Sequence, residues 1–163
     1  TWYFTEKWKV FKSDKKINRA EFVKTMISAK FSKNRINICP VNSIYFSDLP
    51  FWIWYEKFVC MAKKENLINW YLIWKLDSNW EWNFNFWWWK LINLAEALKI
   101  LSKTYKLKTS EFKTNLWYLE HFIFAKRNNL LKWLENVKVW DFLSREDVAR
   151  LIFNFEHHQN WLR

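Results

Sequence analysis

Polar and apolar positions along this chain fall into one arrangement that occurs three times. In Ile17-Asn18-Arg19-Ala20-Glu21-Phe22-Val23-Lys24-Thr25-Met26 an apolar residue precedes a helix-capping side chain. Asn18 can accept a hydrogen bond from a first-turn N–H, and Glu21 can reach back to the N–H of Asn18. Phe22, Val23 and Met26 then form an apolar stripe at helical spacing. Ile92-Asn93-Leu94-Ala95-Glu96 repeats the arrangement, with Asn93 as cap and Glu96 as its carboxylate. Leu143-Ser144-Arg145-Glu146-Asp147 repeats it again, with Ser144 and Asp147 in those places. The spacing predicts helices from Asn18 to about Phe31, Asn93 to about Tyr105 and Ser144 to about Phe155.

A second kind of helix alternates with the first. It is predicted from about Trp54 to Asn66 and again from about Trp117 to Asn129. Trp54-Tyr55 aligns with Trp117-Tyr118, and the same offset pairs Ala62-Lys63 with Ala125-Lys126, Leu67 with Leu130 and Trp70 with Trp133. Tyr55, Phe58, Val59 and Ala62 mark its buried face. The repeating unit is helix, loop, capped helix. Residues 1–35 are the C-terminal part of a first repeat, 36–108 a second, 109–158 a third and 159–163 a tail, with His157 to Arg163 expected to be frayed. Ser32 to Ser47 reads as a linker, and short strands in the loops between helices are an alternative that the pattern does not favour. The fold class predicted is all-α, built of tandem helix–loop–helix repeats that pack on one another.

Composition adds charge and one anomaly. The chain has 163 residues, 51% of them hydrophobic, so a core is expected. Lys and Arg number 27 against 16 Asp and Glu, a formal net charge of +11, which favours anionic partners. Lysines are scattered along every segment, the pattern of a solvated surface rather than of a binding stripe. Cys39 and Cys60 make no framework; Cys60 falls within a predicted helix and reads as a buried thiol, with a single disulfide as the alternative. No apolar run is long enough to span a bilayer. No signal peptide is seen; for an exported protein it would lie upstream.

The anomaly is the absence of glycine beside 15 tryptophans. Ordinary usage would give roughly a dozen glycines. Trp70 and Trp133 each follow a predicted helix, where a left-handed residue, usually glycine, is expected. Trp8, Trp74, Trp80 and Trp140 lie in turn-like stretches, and Trp87-Trp88-Trp89 has the place of a glycine-rich loop. We read these positions as UGA codons, which some bacterial lineages decode as glycine, rendered here as tryptophan. The alternative is a tryptophan-rich protein that stacks aromatics on sugar rings.

Four stretches carry a family resemblance: Phe46-Ser47-Asp48-Leu49-Pro50, Trp54-Tyr55, Asn69-Trp70-Tyr71 and Ile17-Asn18-Arg19-Ala20-Glu21. In this order they resemble tandem S-layer homology domains. With glycine at positions 70 and 2, Asn69-Trp70-Tyr71 and Trp2-Tyr3 match that family's Gly-Tyr loop opening. The resemblance implies a pseudo-threefold central bundle of the capped helices with outer prong helices. It implies grooves that bind secondary cell-wall polysaccharide, often pyruvylated and anionic, within a larger exported protein at the cell wall. The arginine of the Arg-Ala-Glu motif would face such a groove. Arg19 matches, Arg145 matches in a diverged motif, and Leu94 has lost the arginine.

The candidate ligand-binding residues are Arg19, Arg145, Asp48, Trp54 and Trp117. A guanidinium at a helix start can grip a carboxylate with two hydrogen bonds, and the helix N-terminus itself favours an anion. Without the resemblance, Arg19 would be a solvent-exposed residue pairing with Glu21 or Asp14. Trp54 and Trp117 open amphipathic helices, so the residues themselves favour packing over a sugar platform for both. Asn18, Asn93 and Ser144, with Glu21, Glu96 and Asp147, serve as caps. His121, His157 and His158 match no zinc spacing, and no metal or cofactor is expected. No phosphate-binding loop or nucleophile elbow is present even with glycine at every tryptophan. The expected function is non-catalytic envelope anchoring. A basic nucleic-acid-binding module is the first rival and a glycan hydrolase the second.

Overall fold

The computed structural model describes residues 12–40, 53–68, 71–76, 82–109 and 115–161. Among these the chain is mostly helical. The helices are α1 (Arg19–Lys30), α2 (Lys33–Asn37), α3 (Glu56–Lys64), α4 (Leu94–Thr104), α5 (Leu119–Arg127) and α6 (Arg145–Trp161). The loop after α3 departs from the all-helical expectation. It holds strands β1 (Tyr71–Leu76) and β2 (Trp82–Asn85), paired antiparallel with Tyr71 opposite Asn85 and Leu76 opposite Trp82. None of the helices among the described residues is long and apolar enough to cross a membrane. The chain divides into two compact units, Asn18–Lys90 and Thr1–Ile17 with Leu91–Arg163.

In the unit Asn18–Lys90, α1 packs on α3. Ala20, Phe22, Met26 and Ile27 of α1 are buried, as are Tyr55, Val59 and Ala62 at α3. The stretch expected as a linker after Ser32 instead contains α2, because the Ser32 hydroxyl accepts from the Arg35 N–H at 3.4 Å and starts a new turn. That turn brings Cys39 to the buried side of α3, where it is disulfide-bonded to Cys60 with Cα atoms 6.1 Å apart. Cys60 is thus not the buried thiol expected from its helical setting. Its partner follows a short helix that the sequence pattern did not reveal.

In the other unit, three segments close a ring of backbone hydrogen bonds. Ile17 N–H donates to Leu143 at 3.0 Å, Leu143 to Ile92 at 3.0 Å, and Ile92 to Ile17 at 3.2 Å. All three side chains are fully buried. Helix α4 packs on α5. Helix α6 continues to Trp161, past the point where a frayed tail was expected. Asn154 on α6 fixes the loop after α5, its amide donating to the carbonyls of Leu130 and Lys132 at 3.1 Å each.

Three helices end in the same way. The residue after the cap is left-handed, at φ 57° for Asn66, 53° for Lys106 and 54° for Asn129. The next N–H then reaches back: Leu67 to Ala62, Leu107 to Ser102 and Leu130 to Ala125, each at 2.9 Å. Trp133 is therefore not the residue that ends α5. It lies in the following loop and is itself left-handed, at φ 68°, as is Trp87 at φ 52°. Trp2, Trp8, Trp70 and Trp80 lie outside the described residues, and so does the turn containing Asp48; Trp74 lies in β1.

Candidate functional site

The three capped helix starts set the geometry. At α1, Asn18 Oδ1 accepts from Glu21 N–H at 2.8 Å, and Asn18 N–H donates to Glu21 Oε2 at 3.1 Å. At α4, Asn93 accepts from Glu96 N–H at 2.9 Å, and its own N–H donates to Glu96 Oε2 at 3.4 Å. At α6, Ser144 Oγ accepts from Asp147 N–H at 3.2 Å, and Ser144 N–H donates to Asp147 Oδ2 at 2.8 Å.

The earlier N–H groups of each first turn are also satisfied. Arg19 and Ala20 donate to the carbonyls of Lys90 and Trp88, at 2.8 and 3.2 Å. Leu94 and Ala95 donate to Asp141 and Val139, at 3.2 and 2.9 Å. Arg145 and Glu146 donate to Lys15 and Ser13, at 3.0 and 3.1 Å. A helix start attracts anions through unpaired donors. Here a neighbouring loop and a cap residue take up the donors, so the backbone offers an anion little at any of the three starts.

Arg19 and Arg145 are buried, 5% and 4% exposed, so Arg19 is not the solvent-exposed residue that its first-turn position suggested. The reason is local: Glu21 is turned back onto the cap, and the segment carrying Phe86 lies against the arginine. The Arg19 guanidinium stands 5.4 Å from the centre of the Phe86 ring. Leu94, at the equivalent place on α4, is fully buried.

The outward-facing chemistry lies one turn further along. Trp54 and Trp117 open α3 and α5 as expected of packing residues, yet they are 55% and 46% exposed. Lys24 on α1 places its ammonium 4.9 Å from the Trp54 ring centre, and Lys99 on α4 places its own 4.8 Å from that of Trp117. Further aromatics stand beside each pair. Trp54 meets Tyr55 edge-on at 5.0 Å, and Tyr55 lies 5.6 Å from Trp88. Trp117 and Tyr118 lie 6.3 and 4.8 Å from Trp140. The sequence reading missed the two lysines. Their signal was present: each lies five residues after the first residue of its capped helix.

The Lys99–Trp117 pair has a polar neighbour. His121 on α5 is 6% exposed, with Nε2 3.3 Å from Glu120 Oε1 and a buried Nδ1 that makes no hydrogen bond. Burial holds its pKa below the usual histidine value; Glu120 opposes this, and Lys99 and Lys103 reinforce it. Burial, and then Lys99, likewise lower Lys103. His157 and His158, on α6, lie beside Phe153 and Phe124 at 4.1 and 6.0 Å. No group of three or more His, Cys, Asp or Glu among the described residues could hold a metal ion. No family model matches the chain, and no curated protein matches it either.

Proposed function

We propose that the chain is a non-catalytic envelope-anchoring module made of S-layer-homology-like repeats, and that it takes up an anionic secondary cell-wall polysaccharide. The observation that carries this is the recurrent pairing of an ammonium with an exposed indole, Lys24 with Trp54 and Lys99 with Trp117. An indole face offers apolar surface to the C–H side of a pyranose ring, and a neighbouring lysine meets an acidic substituent on that ring. Arg19 and Arg145 act from beneath, adding positive potential and holding their loops. The Cys39–Cys60 disulfide suits an oxidising, extracellular setting.

Purified cell-wall sacculi provide the test. The chain is retained on them, Arg19→Ala weakens retention, and a pyruvylated amino sugar displaces the protein. Retention indifferent to both the substitution and the competitor contradicts the proposal.

A further inference from the structure

Unit Thr1–Ile17 with Leu91–Arg163 differs from its counterpart in one respect that affects the Lys99–Trp117 pair. Phe58 stands four residues after Trp54, and His121 stands four after Trp117. Ser28 stands four residues after Lys24, and Lys103 four after Lys99. In these two places the Lys24–Trp54 pair has an apolar ring and a small uncharged side chain. The Lys99–Trp117 pair has a buried imidazole and a second lysine. The charged groups acting on His121 are Glu120 from its own helix and Lys99 and Lys103 from α4.

We infer that His121 is an acid-operated latch on the Lys99–Trp117 surface: protonating it adds a buried cation at the packing of α5 on α4, drives Lys99 off the indole and loosens α4 from α5. Like charges repel more strongly where one of them is shielded from water, and the His121 Nδ1 is buried with no acceptor for an added proton. The stability consequence has a definite sign. In the folded chain the histidine binds its proton less readily than in the unfolded chain, so the unfolded state holds more protons once the pH falls below about 6.5. Stability is full above that pH and falls as the solution is acidified through the window down to the lowered folded-state value. As a regulator of the sugar surface, the latch rests on the proposed function; as a determinant of stability, it does not.

The experiment compares wild type with His121→Phe, which borrows the residue found at position 58, and with His121→Gln as a second variant should the first fail to fold. Thermal unfolding at pH 7.5 and 5.0 is expected to show a fall in Tm of about 3 °C or more in wild type. At least half of that fall should disappear in the variant. In 1H–15N spectra the Trp117 indole signal of wild type should titrate with the midpoint of the His121 ring, and should stop doing so in the variant. Retention on sacculi should drop between pH 7.5 and 5.5 for wild type alone. Equal acid sensitivity in wild type and variant, or a Trp117 signal that ignores His121, overturns the latch. No retention at pH 7.5, with the Tm and indole results as expected, refutes the sugar reading and leaves the latch standing.

Discussion

The ammonium of Lys24 stands 4.9 Å from the ring centre of Trp54, and the indole beneath it is 55% exposed. A tryptophan that only packs the start of a helix would be covered. This one keeps a large apolar face in water beside a cation, and Lys99 with Trp117 does the same in the other unit. Such cation–ring contacts are worth about 0.5–1 kcal/mol at exposed sites. They organise a surface more than they stabilise a fold, so substitution there should affect ligand uptake more than unfolding.

The Cys39–Cys60 disulfide ties the α2 segment to α3 across a separation of 21 residues. Closing a loop of that size restricts the unfolded chain and stabilises the fold by up to about 3 kcal/mol. Cys39→Ser with Cys60→Ser is expected to lower the urea midpoint of the unit Asn18–Lys90. Full reduction of the wild type should give the same value, and midpoints unchanged by either treatment would show that the disulfide does not stabilise the fold.

Each capping side chain replaces a lost backbone partner, so removing one has a local and predictable effect. Asn93→Ala leaves the Glu96 N–H without its acceptor and should cost about 1 kcal/mol. Ser144→Ala should cost a similar amount, about 1 kcal/mol, through the Asp147 N–H. Urea denaturation measures both, and Asn93→Asp should recover most of the loss because its carboxylate accepts the same bond.

Trp133 holds a left-handed backbone at φ 68° with its ring 47% exposed. For a bulky side chain that conformation costs about 1–3 kcal/mol, a penalty glycine largely escapes. Trp133→Gly should therefore leave the urea midpoint unchanged or raise it, although it deletes the largest side chain in the code. A clear fall would mean that the indole supports the fold through Phe153, 6.2 Å away. The gene decides the same question independently: UGA at codons 87 and 133 is expected, and UGG excludes a decoding origin for these tryptophans.

What could be read from the sequence was local. The caps at Asn18, Asn93 and Ser144 depend on residues three positions apart, and the pattern of cap, carboxylate and stripe announces them. The helix ends near Asn66, Tyr105 and Asn129 were legible too, but not that Asn66, Lys106 and Asn129 turn left-handed there, because no glycine marks them. The disulfide was hidden because it joins distant positions through α2, a helix of five residues too short to show periodicity. The burial of Arg19 was hidden for a similar reason. A first-turn arginine reads as exposed until the segment carrying Phe86 and Lys90 is seen to run against it. Trp54 and Trp117 were identified as notable, but their exposure and their lysine partners emerged only once α1 met α3 and α4 met α5.

Retention of the intact chain on purified sacculi, wild type against Trp54→Ala with Trp117→Ala, tests the central claim most directly. Loss of two stacking faces should weaken binding about tenfold or more while leaving the unfolding midpoint within experimental error of wild type. Undiminished retention of a folded double variant would contradict the assignment of these surfaces to the wall polysaccharide.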